Sequence, residues 1–210
     1  MQYKVYYKRK LPHFQPKRGV FFITLRLAFQ LPVKFLSALN QYRASLQKTL
    51  TGSEDAASGK DVIMKKSFAY EDELYNRCES EVDISQAPAA DIIMEKLLLM
   101  QEDYFYLYAF TIMPNHLHLL IQPSQREGIP VSTSEIIKNF KGSSAIKINQ
   151  ALGRQGQLWN REYFDRWIRD QQELVNVIQY IRNNPVQAKL VTDARDWQWT
   201  WLNPELWQED

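Results

Sequence analysis

Apolar residues recur along this chain with two different periods, and each period predicts a different element. Val20–Phe29 (VFFITLRLAF) is almost entirely β-branched, aromatic or leucine, which predicts a strand. After Pro32 the period changes. Val33, Leu36, Leu39, Tyr42 and Leu46 lie three or four apart, so Val33–Leu50 is expected to be a helix with one apolar face. Thr51–Lys60 (TGSEDAASGK) is small or polar throughout and reads as an exposed, flexible loop around 51–61. Ile63–Ser85 follows neither period. Pro88 opens a helix to about Met100, with Ile92, Ile93, Leu97 and Met100 inward. Tyr104–Met113 and His116–Gln122 predict two strands separated only by Pro114-Asn115, a turn or a local bend.

Ser132 with Glu135 has the spacing of a capping box and starts a helix running to about Leu152. Gly153–Gly156 breaks that pattern, and Leu158–Ile168 is aromatic without a clear period. Asp170 with Glu173 repeats the capping box, ahead of a short helix, Leu174–Asn184, that Pro185 is expected to stop. Strands and helices mix without regular alternation, so the fold class is α+β with an antiparallel sheet. The 210 residues are expected to form a single domain, 1–210.

Composition narrows the class. With 45% apolar and 24% charged residues, 7 Gly and 9 Pro, the chain is neither collagen-like, mucin-like nor disordered. No uncharged apolar run reaches the ~18 residues of a membrane span, so no membrane partner is expected. Met1–Lys10 lacks the apolar core of a signal peptide. The single cysteine, Cys78, excludes an intramolecular disulfide and a cysteine-rich zinc site, which points to the reducing cytoplasm. The net charge of +2 conceals an asymmetry: residues 1–53 hold ten Lys or Arg and no acid, whereas 54–103 hold thirteen acids and five bases. The basic region either attracts phosphate or pairs with the acidic segment, and charge alone does not choose.

Two constellations can carry chemistry. His116 and His118 are two apart in an expected strand, so both imidazoles project from one face. They are either two ligands of an open metal site or a hydrogen-bonding pair. Tyr180 and Asn184 are four apart on one helix face. The phenol could be a covalent nucleophile and the amide oxygen a hard-metal ligand. The ordinary reading is that the tyrosine is core and the asparagine a helix cap. For polyanion binding, Lys138, Lys141 and Lys147 recur along one helix, and Arg161, Arg166 and Arg169 are interleaved with Trp159, Tyr163, Phe164 and Trp167. Core packing is the usual fate of such aromatics.

Met113–Leu120 (MPNHLHLL) resembles the histidine–hydrophobic–histidine signature of HUH single-tyrosine transposases, a superfamily that includes insertion-sequence transposases. Trp159–Val191 resembles the tyrosine block of their REP-associated subgroup, and Ile137–Leu152 its basic helix. The early VFFITLRL and late Asp196–Trp199 are also similar, so the resemblance spans roughly 19–201. It implies a ferredoxin-like α+β fold with the histidine pair on a central strand facing the tyrosine helix. It assigns His116, His118 and Asn184 to a Mg²⁺ or Mn²⁺ ion and Tyr180 to the nucleophile. The implied activity is cleavage and strand transfer of single-stranded or hairpin DNA through a 5′-phosphotyrosine, without a nucleotide cofactor, by a monomer or a homodimer. The alternative is a domesticated relative that holds repeat hairpins without cutting them. Against the shortest members of the family, 61–103 reads as an insertion.

Overall fold

The computed structural model describes residues 5–8, 12–50, 56–101 and 103–206. In chain order the elements are β1 (Tyr6–Lys8), β2 (Pro12–Phe14), β3 (Val20–Arg26), α1 (Val33–Leu50), α2 (Ala56–Asn76) and α3 (Ala89–Met100). There follow β4 (Phe105–Ile112), β5 (His116–Pro123), β6 (Gln125–Arg126), β7 (Ile129–Pro130) and α4 (Thr133–Ala151). The chain ends with β8 (Phe164–Ile168), α5 (Gln171–Gln187), a 3₁₀ turn (Ala194–Asp196) and β9 (Thr200–Leu202). They form two compact units, 29–79 and the remainder.

The larger unit is built on an antiparallel sheet in the order β8-β3-β5-β4-β9. The α+β architecture expected from the sequence is the observed one. Side chains alternate across each strand, so the sheet has two unlike faces. One carries Ile23, Leu25, Leu107, Phe110, Ile112, Leu117 and Leu119, each at most 1% exposed. The other carries Phe22, Thr24, His116, His118 and Thr111, aligned by the register Thr24↔His118 and Thr111↔His118. Helix α5 lies against β4, β5 and β9.

The dipeptide Pro114-Asn115 closes a tight β4–β5 hairpin in which Met113 N donates to His116 O at 2.8 Å. Two further backbone bonds clamp this turn: Ile84 N to Pro114 O and Leu27 N to Asn115 O, both at 2.9 Å. Both expected helix starts occur. Glu135 N donates to Ser132 Oγ at 3.2 Å and Glu173 N to Asp170 Oδ1 at 2.7 Å. Trp201, half-buried, stacks on Phe110 across the β4–β9 ladder with ring centroids 6.0 Å apart.

Pro185 does not stop its helix, because α5 continues to Gln187. A proline there forfeits only the bond to the carbonyl four residues back. The ladder resumes with Ala188 N donating to Asn184 O at 2.9 Å, and burial of Ile181 and Pro185 offsets the loss. Leu158–Ile168 ends in a regular edge strand, β8, whose pairing partner β3 is too distant in sequence to be read locally.

In the smaller unit α1 and α2 pack as a helical pair through Tyr42 and Tyr70, ring centroids 4.5 Å apart, and an Arg43–Glu71 ion pair at 3.0 Å. That pair joins the basic and acidic segments within one unit. Helix α2 begins at Ala56, so the second half of the polar stretch is helical, while 51–55 lie outside the described residues. Two neighbouring alanines and packing on α1 explain why local polarity misread it. Helix α1 buries Leu39, but Val33 and Leu36 on the same stripe are 82% and 43% exposed.

Candidate metal and nucleophile site

His116 and His118 are fully buried on β5, the middle strand of the sheet, with their side chains on one face. Their Nε2 atoms are 3.1 Å apart. Two lone pairs at that distance repel, so the pair is stable only with a proton or a cation between the nitrogens. Two nitrogen ligands ~2.1 Å from one ion at right angles must themselves be about 3 Å apart. The observed spacing therefore fits a shared divalent ion.

The other ring nitrogens are anchored. His116 Nδ1 lies 2.7 Å from Asn115 Oδ1, an amide oxygen that can only accept. His116 therefore donates from Nδ1, which leaves the Nε2 lone pair of the neutral ring facing His118. His118 Nδ1 lies 2.9 Å from Thr24 Oγ1, a hydroxyl that can donate or accept and so suits either tautomer. Anchoring the distal nitrogen in this way is how proteins orient metal-binding imidazoles. Neither Asn115 nor Thr24 stood out in the sequence. Asn115 had a local signal in its place directly before the pair, whereas Thr24 is 94 residues from His118 and is recruited by strand register alone.

Helix α5 brings Tyr180 to the same face. Its ring centroid is 5.4 Å from that of His118 and 5.8 Å from that of Phe22, which itself stacks on His118 at 5.4 Å. Tyr180 is half-buried, not sunk in the interior. Asn184, one turn further along α5, is fully buried beside Ile181 and Pro185 on the sheet-facing side. Helix and sheet are joined at one end by Arg166 of β8, whose Nε and Nη2 donate to Glu173 Oε1 at 2.8 and 2.6 Å.

The six basic residues singled out for polyanion binding separate into two sets. Lys141 Nζ donates to the carbonyls of Asn160 and Glu162 at 2.8 and 3.2 Å, tying down the segment before β8, and Arg166 is buried on Glu173. Lys138, Lys147, Arg161 and Arg169 are exposed, with Lys147 3.8 Å from Glu95. Trp159 and Tyr163 are buried core, at 4% and 5% exposure, and Trp159 Nε1 donates to Ser144 Oγ. Among the described residues, no helix is long and apolar enough to cross a membrane.

A histidine pair on the middle strand of an antiparallel α+β sheet, faced by a helix-borne tyrosine, is the arrangement expected of an HUH-type fold. Residues 89–184 match the family described as "Transposase IS200 like". A Haemophilus influenzae protein provisionally named a REP-associated tyrosine transposase is 28% identical over 116 residues, 50% of this chain and 66% of that protein. A second H. influenzae protein, uncharacterized, is 29% identical over 97 residues, 37% of this chain and 52% of its own length. The chain thus spans less than two-thirds of each of these relatives. A solved REP-associated tyrosine transposase bound to a REP hairpin shares the fold, with a TM-score of 0.52 at 15% identity over 97% of this chain and 93% of that one. The likeness to REP-associated tyrosine transposases read in the sequence is borne out.

Proposed function

We propose that this protein cleaves and rejoins single-stranded or hairpin DNA at a specific site, by a metal-dependent reaction through a 5′-phosphotyrosine. The observation that carries the reading is the meeting of two Nε2 atoms 3.1 Å apart with a tyrosine ring 5.4 Å from one of the imidazoles. A histidine pair alone could be a hydrogen-bonded pair. A histidine pair with a phenol over it has the parts for phosphoryl transfer.

His116 and His118 would hold a Mg²⁺ or Mn²⁺ ion, with the amide oxygen of Asn184 as third ligand. The ion would supply Lewis acidity at the scissile phosphate. Asn115 and Thr24 hold the two imidazoles in place. Tyr180 Oη attacks phosphorus in line and loses its proton to solvent. The bond from phosphorus to the 3′-oxygen breaks, and that oxygen leaves as a hydroxyl after taking up a proton. The 5′-phosphate stays on Tyr180. Attack by another strand's 3′-hydroxyl reverses the step and conserves the bond energy, so the chemistry requires no nucleotide cofactor. Lys138, Lys147, Arg161 and Arg169 are exposed, and they are the side chains assigned to the DNA backbone.

The test is incubation of labelled hairpin DNA with the protein and Mn²⁺, followed by denaturing electrophoresis. A covalent protein–DNA adduct is expected with the native chain and none with Tyr180→Phe, which removes one oxygen and should retain hairpin binding. An adduct formed by Tyr180→Phe would refute the nucleophile. Hairpin binding by the native chain without any adduct would favour a non-cleaving holder of repeat hairpins.

A further inference from the structure

Phe22 has no reactive group, yet it touches both halves of the candidate site. It lies in β3, 3% exposed, on the sheet face that carries Thr24. Its ring stacks on His118, with centroids 5.4 Å apart and planes 26° from parallel. Tyr180 stands across both rings, at 90° to Phe22 and 67° to His118. The three rings form a closed triangle whose sides are all between 5.4 and 5.8 Å.

Two corners of that triangle are fixed. Phe22 belongs to a strand paired on both sides, by β5 and by β8, and Phe164 of β8 meets its ring edge-on at 6.3 Å. His118 is on the middle strand and is held through Nδ1 by Thr24. Tyr180 is the movable corner, because it is half-buried and a step of χ1 from one staggered well to the next swings the phenol oxygen by several ångströms. In-line attack does not tolerate such a swing, since ~1 Å of misplacement can cost about 10²-fold in rate. One edge-to-face ring pair favours the conformation that makes it by about two- to tenfold. Filling space at this place does not require a ring, for the cross-strand partner of Phe22 is Leu120.

We propose that Phe22 is a positioning residue for the nucleophile: its ring holds the Tyr180 phenol in the rotamer packed against His118. The inference rests on the transfer reading above for what Tyr180 does, and on the ring geometry alone for how Tyr180 is held.

Phe22→Leu keeps an apolar side chain and removes the ring. Phe21→Leu is the control, because Phe21 is 1% exposed on the opposite face of the same strand and loses the same atoms from the core. Adduct formation is followed in single turnovers with labelled hairpin and Mn²⁺, at a temperature where all the chains are folded. Phe22→Leu should slow it by about tenfold, while the half-saturating concentrations of hairpin and Mn²⁺ stay within about twofold of the native values. Phe21→Leu should keep the native rate. The proposal fails if Phe22→Leu keeps the native rate or if the two leucine variants are slowed equally. It also fails if Mn²⁺ affinity falls in step with the rate, which would make Phe22 a support for His118 instead.

The ring itself is read by ¹³C relaxation of tyrosine-labelled protein, with the Tyr180 signal assigned from Tyr180→Phe. Tyr180 should be rigid in the native chain and mobile on the ps–ns timescale in Phe22→Leu. An equally rigid ring in both would overturn the proposal whatever the rates. If Phe22→Leu does not fold, Phe22→Met fills the space with a flexible side chain and carries the same expectations. Loss of ring rigidity in a protein that forms no adduct would sink the transfer reading and leave the ring contact standing. Adduct formation by a native chain whose Tyr180 ring is indifferent to Phe22 would do the reverse.

Discussion

The tautomer argument at His116 gives the sharpest prediction. Asn115→Ala removes the amide oxygen that accepts from His116 Nδ1 at 2.7 Å, and leaves the turn's backbone bonds to Ile84 and Leu27 in place. His116 is 0% exposed, so water cannot easily replace the lost acceptor. An unsatisfied buried donor costs about 1–3 kcal/mol. Loss of a partner behind a ligating histidine lowers metal affinity about 10–100-fold, or ~1.4–2.8 kcal/mol. The two ranges overlap because they describe one hydrogen bond. Mn²⁺ titration monitored by electron paramagnetic resonance should therefore show weakening by one to two decades. In the metal-free protein, ¹⁵N shifts should report a single Nδ1–H tautomer for His116 in the native chain and a mixture in the variant. Asn115→Asp retains an acceptor and should preserve the tautomer. Unchanged Mn²⁺ affinity together with an unchanged tautomer in Asn115→Ala would refute the reasoning.

Three further predictions concern other parts of the molecule. His118→Ala should weaken Mn²⁺ binding and DNA cleavage together, and an unaltered Mn²⁺ dependence of cleavage would remove this histidine from the site. Glu173→Gln should destabilise the chain by about 3–5 kcal/mol, because Arg166, 6% exposed, would lose the charge of the carboxylate it is paired with. At ~2–4 °C per kcal/mol that lowers the melting temperature by roughly 6–20 °C, and Arg166→Met/Glu173→Leu should recover much of it; calorimetry decides. At Cys78 burial pushes the thiol pKa up, an effect that Lys34 partly opposes, while Sγ donates to Leu74 O at 3.2 Å. The folded state favours the neutral thiol, so this contribution to stability is present below the ordinary thiol pKa and fades as pH rises through the raised one. Alkylation by iodoacetamide should accelerate at higher pH in the folded chain than in the denatured chain, and coincident pH profiles would contradict the shift.

Local patterning carried much of the architecture. The apolar run from Val20, the helical spacing from Val33 and the caps at Ser132 and Asp170 are short-range signals, and each marks an element that forms. The same signals failed where packing outweighed propensity. Pro185 sits inside α5 because the buried Ile181 and Pro185 hold the last turn down, and the polar stretch is helical from Ala56 because α1 supports it. Arg166 and Lys141 have the chemistry of phosphate contacts, but the fold uses one to anchor Glu173 and the other to hold two carbonyls.

At the site, strand periodicity was enough to put His116 and His118 on one face, and helix periodicity to put Tyr180 and Asn184 on another. Periodicity alone could not say that the two faces meet; that expectation came from the family resemblance, and it depends on α5 lying over this side of the sheet. Nor could periodicity reveal Thr24 behind His118, a pairing made by the β3–β5 register across 94 residues. Residue order encodes the period of each element. Contacts between elements arise only when burial of their apolar faces sets register and packing, and the partnership of Thr24 with His118 is of that kind.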